Sequence, residues 1–417
     1  MDDASARASR DGSPARVVRR GSSLRACAPA LTLSRARVAM SALGITRVTD
    51  ITRLDQLGLP VFTSIRPRGQ GLRVHAGKGL RAIDAQVGAL MEAIEFAVAD
   101  PHCQPILGRR FSAASLQRRW GERLIDLVPL LSWQPQADQR LRCLPLDDLS
   151  AGHRVWVPSA LVFYPWDGPS FGEPEVFGAT TTGLASGNTL DEATLHGLLE
   201  VLERDAIALH HAQDRSMHVA PDELPAPFRQ LALQWRALGI HLAVRCIPND
   251  FELPCFFAVL HDATGAPVHL AGGHGLHLDA RVALSRAVCE AAQSRLSQIH
   301  GGRDDVTRYY AQFAALPKQD RSAAIARQLE PWFDAQRRIR FRDVPSRAVA
   351  GRSLAQHVSD LVAELGQRGF PVVARHRFNA GLEGLEVVRI VIPRCEDLAG
   401  GTRRAGMRFV ARVIGRG

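Results

Sequence analysis

The stretch Gly183–Ala206, GLASGNTLDEATLHGLLEVLERDA, decides the reading of this chain. At about 100° per residue along a helix, Glu192, His196, Glu200 and Glu203 fall in one narrow sector. Leu195, Leu198, Leu199, Leu202 and Ala206 fill the adjoining sector. The glutamates therefore sit at the edge of a buried face. Like charges held there repel, by about 1 kcal/mol per pair in water and about 4 kcal/mol at an effective dielectric of 20. A cation relieves that repulsion, and hard oxygen ligands favour Mg2+ completed by water and phosphate oxygens. The competing reading is a charge-laced surface helix with Glu200 and Arg204 paired at i,i+4.

The pattern occurs three times. Ala85 is followed at offsets of seven and ten by Glu92 and Glu95, Ala193 by Glu200 and Glu203, and Ala283 by Glu290 and Gln293. Gly79 and Gly187 stand six residues before the first two alanines; the third copy has His277 there, with Gly275 nearby. Both offsets are helical, so each copy presents its acids on one face. Three loop-then-helix units with matched acids point to a shared metal or polyanion site.

These stretches, with HAGKGLRAIDAQVGALMEAIE and ALSRAVCEAAQSR, resemble the YcaO family from about Thr32 to Arg295. The resemblance implies a YcaO-like fold, ATP and Mg2+ as cofactors, and ATP-dependent modification of peptide backbone amides. Carried over residue by residue, it implies metal-binding roles for Glu92, Glu95, Glu192, Glu200, Glu203 and Glu290. It implies nucleotide contacts for Asn188, Arg204 and Arg286. Arg25 and Thr32 take the places of a basic and a hydroxyl nucleotide contact, on spacing to Leu43-Gly44 alone. Phe96 follows Glu95 where many members have arginine.

Composition narrows the class. The 417 residues are 46% hydrophobic and 23% charged, ordinary for a globular protein. No apolar run approaches the roughly 18 residues of a membrane span. The formal charge is +10, and of 52 basic residues only Lys78 and Lys318 are lysine. A basic surface can attract nucleic acid, but no zinc-finger, RNP or helix-turn-helix signature accompanies it. An acidic leader peptide fits that charge equally well. Lys78 lies in a GKG turn where it can approach phosphate or cap the turn; GKG is not a P-loop. Seven scattered cysteines, never CxxC, argue against zinc and disulfides and fit a reducing cytoplasm.

Residues 1–25 read as a disordered tail and 26–417 as one catalytic unit, with core motifs in 72–300 and an α/β portion in 301–417. Helices are expected over 32–43, 82–99, 191–211, 225–238, 280–299 and 353–368. Strands are expected over 61–65, 72–75, 154–163, 240–246, 255–260, 268–271, 371–375 and 386–392. Residues 101–150 read as irregular. The alternation gives an α/β or α+β core with mixed sheets. Thr189 with Glu192 reads as a capping box, which competes with ligand roles for Asn188 and Glu192.

A backbone amide oxygen is a poor leaving group, and phosphorylation by ATP makes it a good one. The resemblance leaves two chemistries open, azoline-forming cyclodehydration and thioamide formation from external sulfur. The chain ends VARVIGRG without the proline-rich tail of many azoline-forming members, and its SGNT…ERDA stretch resembles members that act beside a TfuA-like protein. A ribosomally made precursor peptide or protein as substrate, and a TfuA-like or leader-recognition partner, follow as expectations. A non-catalytic ATP-binding or peptide-binding regulatory subunit is the reading of another class. A homodimer stays open.

Overall fold

The structure, a computed structural model, describes residues 18–20, 23–103, 106, 108–120, 139–174, 176–263, 268, 270–303, 331–398 and 405–415. An antiparallel ribbon of β1 (Val18–Arg20) and β2 (Ser23–Arg25) comes first, then α1 (Pro29–Ala39). Strands β3 (Arg47–Asp50), β4 (Val61–Ile65) and β5 (Val74–Lys78) form a three-stranded sheet, followed by α2 (Ala82–Val98). Next come β6 (Arg109–Ser112), α3 (Ala113–Trp120), β7 (Arg140–Asp148), β8 (Arg154–Pro158), β9 (Leu184–Gly187) and α4 (Leu190–Ala212). Strand β10 (Met217–Val219), α5 (Ala226–Ala237), β11 (Ile240–Cys246), β12 (Cys255–Asp262), β13 (Leu270–Leu276) and α6 (Ala280–His300) follow. The chain closes with α7 (Leu354–Gln367), β14 (Ala374–Phe378), β15 (Glu386–Val391) and α8 (Met407–Val413).

Two larger sheets accompany the first, one ordered β10-β11-β12-β13 and one ordered β6-β7-β14-β15-β9 with β8 also on β7. Every pairing between described strands is antiparallel. The α+β alternative therefore holds, and mixed sheets do not. The reason is topological: β5–α2, β9–α4 and β13–α6 each belong to a different sheet, so no helix crosses over between parallel neighbours. The C-terminal strands β14 and β15 lie inside the six-stranded sheet, between β7 and β9.

Each repeat is thus a strand with a helix laid on it, and the repeated alanine marks where they touch. A Cβ on Gly77 would lie 2.0 Å from Ala85 O, one on Gly187 2.5 Å from Ala193 N, and one on Gly275 2.2 Å from Ala283 O. Glycine on the strand lets the helix backbone approach closely, and alanine on the helix keeps the gap small. Seven and ten residues along, two turns or more up the helix, stand the paired acids.

Several expected boundaries move. The tail reading of 1–25 fails at 18–25, where the ribbon pairs Arg19 with Leu24 and Leu24 joins the core; residues 1–17, 21 and 22 lie outside the described residues. Residues 101–150 contain β6, α3 and the nine-residue β7, whose apolar alternation is broken by Pro145. The strand expected over 154–163 stops at Pro158 and continues as a 3-10 turn. Strand β13, LAGGHGL, runs five residues past its expected end because its glycines hide its β propensity. Among the described residues no helix is long and apolar enough to cross a membrane.

A buried arginine ties the first and third units together. Arg295 on α6 donates to Asp55 at 2.8 Å, to Asp262 at 2.9 Å and to Val268 O at 2.7 Å. All three charged side chains are at most 4% exposed. Arg295→Met removes the arginine from two buried carboxylates, so unfolding in urea should show a loss of about 3–5 kcal/mol. A loss under about 1 kcal/mol, the scale of a surface pair, would mean that water relaxes the site.

Candidate active site

Strands β5, β9 and β13 are the terminal strands of their sheets, and the helix of each unit touches the terminal strand of the next. Helices α2, α4 and α6 lie between them around a cavity of about 280 Å3. Glu92, Glu95, Glu192, Glu200, Glu203 and Glu290 all line it. So do Arg25, Thr32, Asn188, Arg204 and Arg286. The surface-helix reading of α4 fails here: Glu192 is 2% exposed and Glu203 1%. Arg204 Nη1 lies 3.9 Å from Glu203, where i,i+4 pairing pointed to Glu200.

An unpaired sheet edge needs partners for its backbone groups, and the acidic helices supply them in cyclic order. In the first and third copies the first residue of the pair serves its own strand: Glu92 accepts from Ala76 N at 2.7 Å, and Glu290 from His274 N at 3.3 Å. Ala76 and His274 each directly precede the close-packed glycine of their strand. The second residue reaches the next unit. Glu95 accepts from Ser186 Oγ on β9 at 2.5 Å, and Glu203 from Leu276 N on β13 at 2.9 Å. In the third copy Gln293 Nε2 donates to Ala76 O on β5 at 3.3 Å, which closes the ring. The departure from glutamate at this position now has a cause, because the group to be satisfied is a carbonyl and only a donor serves it. Glu200 accepts no such bond from its own strand, whose Ser186 hydroxyl turns to Glu95.

The site is short of positive charge. Burial raises the Glu95 carboxyl to about 8; the Ser186 hydrogen bond opposes this, and Glu200 and Glu92 add to it. Burial likewise raises Glu200 to about 7 against the pull of Arg204, with Glu203 pushing the same way as burial. Glu92 is raised too, again chiefly by burial. Glu290 is the exception: burial would lift it, but Lys78 and Arg204 bring it down to about 2. Burial, then Arg286 and Arg25, hold His196 well below its usual range, hence neutral.

The N-terminal wall is braced through Glu192. Its carboxylate accepts from Arg25 at 3.1 Å, from Ala26 N at 2.9 Å and from Asn188 Nδ2 at 3.3 Å. Asn188 Oδ1 in turn accepts from Thr32 Oγ1 at 3.0 Å and from Arg35 at 3.4 Å. Thr189 caps α4 by accepting from Glu192 N at 3.2 Å. Only half of the expected capping box forms, because the Glu192 side chain goes to the N-terminal segment. Arg25 and Thr32 both line the cavity, and Arg35, which sequence spacing did not single out, reaches Asn188 beside them.

Do these groups suit a nucleotide and Mg2+? Buried polar atoms lacking partners line the cavity: His196 Nδ1, Ser285 Oγ, Arg286 Nε and Gln293 Oε1. Buried polar groups are normally hydrogen-bonded, so these are set to meet a polar ligand. Among the described residues no group of three or more His, Cys, Asp or Glu side chains is gathered closely enough to hold an ion alone. The acids are instead spread around the wall, which suits an ion completed by phosphate and water oxygens. Under-compensated carboxylates beside three arginines and a lysine form a donor set that fits both groups.

Known proteins share the sequence pattern and the fold. Residues 76–396 match the family model described as YcaO cyclodehydratase, ATP- and Mg2+-binding. An uncharacterized protein of Methanothermobacter thermautotrophicus is 31% identical over 395 residues, covering 91% of this chain and 97% of the relative. An uncharacterized protein in the tfuA 3′ region of Rhizobium leguminosarum bv. trifolii is 32% identical over 418 residues, covering 94% and 93%. The structure of YcaO from Methanopyrus kandleri bound with AMPPCP and Mg2+ superposes with a TM-score of 0.71 at 22% identity, over 94% of this chain and 98% of that one. A heterocyclase in complex with substrate and cofactor gives 0.74 at 22% identity; the match covers 97% of this chain but only 57% of that enzyme. The chain belongs to the YcaO family of ATP- and Mg2+-binding proteins.

Proposed function

We propose that this chain spends ATP to activate backbone amides of a ribosomally made peptide or protein, exchanging carbonyl oxygen for sulfur beside a TfuA-like partner. Sulfide adds to the carbonyl carbon, the former carbonyl oxygen takes the γ-phosphoryl group of ATP, and phosphate then departs as C=S forms. In this reading Glu92, Glu95, Glu200, Glu203 and Glu290 hold Mg2+, which neutralises charge on the phosphates. Arg204 and Arg286, both 3.9 Å from Glu203, are positioned to meet the charge that develops on the transferred group. Glu192 positions Arg25 and Asn188 and is assigned no metal.

The ring of acids around one cavity carries the ATP-dependent part. Sulfur is favoured by the Rhizobium relative, 32% identical over nearly its whole length and encoded in a tfuA 3′ region. Azoline formation is the second reading, favoured by the cyclodehydratase description of the family. Mass spectrometry separates them after incubation of a neighbouring precursor peptide with this protein, the TfuA-like partner, ATP, Mg2+ and sulfide. Exchange of one oxygen for sulfur is the expected product; loss of one water means azoline. An unchanged peptide, with ATP bound but not consumed, would favour the regulatory subunit.

A further inference from the structure

Lys78, the last residue of β5, places its ammonium on Glu290 Oε2 inside the cavity. The other oxygen of Glu290 accepts from His274 N, so both oxygens of this carboxylate are engaged. The backbone carrying Lys78 is fixed. Ala76 is bonded through its N–H to Glu92 and through its carbonyl to Gln293, and Gly77 lies against the α2 backbone. Only the lysine stem is left to move, and it is a quarter exposed toward the cavity.

The residue type carries a further argument. Of 52 basic residues in the sequence only two are lysine, so arginine serves nearly every other cationic position. An arginine here would grip Glu290 through two parallel N–H bonds, whereas an ammonium is a compact charge on a flexible stem that can change partners.

We propose that Lys78 is the built-in counter-ion of the nucleotide site: it holds Glu290 until Mg2+ arrives with a nucleotide, then passes to a phosphate oxygen. The exchange gives Glu290 a cationic partner at each stage. Without nucleotide, the ammonium competes with a divalent cation for Glu290; with nucleotide, it adds a contact. Lysine at 78 thereby couples metal entry to nucleotide entry, and free metal alone is held weakly. The inference rests on the ATP- and Mg2+-binding of the family and is independent of the peptide product.

Two measurements with opposite signs test it. Mn2+ alone, followed by electron paramagnetic resonance without nucleotide, should bind Lys78→Met about fivefold or more tighter than the wild type. A non-hydrolysable ATP analogue at saturating Mg2+, followed by calorimetry, should bind the same variant about tenfold or more weaker. Lys78→Arg keeps the charge and strengthens the grip on Glu290, so it should bind free Mn2+ no better than the wild type. Unchanged or weaker Mn2+ binding in Lys78→Met, or undiminished analogue binding, overturns the proposal. So does a gain in Mn2+ affinity in Lys78→Arg. Failure of the wild type to bind the analogue would instead strike at the ATP site itself, and melting curves for each variant identify any that misfold.

Discussion

Replacing Glu203 with Gln is expected to weaken Mg2+-dependent ATP binding by about a hundredfold or more while the fold survives. The fold survives because the amide oxygen of Gln can still accept from Leu276 N, the one hydrogen bond that ties α4 to β13 through this side chain. Binding suffers because Arg204 and Arg286, each 3.9 Å from the carboxylate, lose the charge that holds them, and the proposed metal loses a ligand. Calorimetric titration with an ATP analogue and Mg2+ decides it: equal affinities would remove Glu203 from the site. Glu200→Gln makes a useful contrast. Burial raises the Glu200 carboxyl from 4.5 to about 7, so the folded chain holds that proton more tightly than the unfolded one. Stability is therefore lost as pH rises between those values, and the charged form is a liability above them. Glu200→Gln should lose nucleotide affinity yet unfold no earlier than the wild type at neutral pH. A residue selected for folding would not behave this way.

The acids were legible in the sequence because their signal is local. Offsets of seven and ten residues are set by helical periodicity, and neither depends on what the helix packs against. The strands beneath were less legible. β5 reads VHAGK and β13 LAGGHGL, and the glycines that allow close helix approach are the residues that depress strand propensity. The four residues of β9 were not among the expected strands. Least legible was the cyclic order. Glu95 meets Ser186, Glu203 meets Leu276 and Gln293 meets Ala76, pairs separated by 91, 73 and 217 residues. Such pairs are decided by how three sheets assemble, which no local pattern encodes. Gln293 illustrates the cost: the repeat showed the departure from glutamate, but only the carbonyl of Ala76 explains it. At the N-terminus the signal was too short, since of Ser23, Leu24 and Arg25 in β2 only Leu24 is buried in the core.

Among the described glycines, Gly77→Ala should be the most damaging replacement. The new Cβ would stand 2.0 Å from Ala85 O and 2.1 Å from Ala89 N, both backbone atoms of α2. No side-chain rotation relieves a clash with backbone, so strand and helix must part by about 1 Å or more to reach van der Waals contact. Neither is free to yield: β5 is paired along its length with β4, and Ala76 is bonded to both Glu92 and Gln293. Overpacking of this kind costs about 3 kcal/mol or more. The cost is coupled to function, because parting β5 from α2 breaks the bond that orients Glu92 and moves Lys78 away from Glu290. Gly366→Ala serves as the control. It lies in α7, meets no atom within 4 Å, and should be neutral or raise stability by about 0.5–1 kcal/mol. Urea unfolding of both variants reads the difference directly. If Gly77→Ala unfolds at the wild-type midpoint, helix and strand can separate at no cost, and close approach is not what places the acids over the cavity.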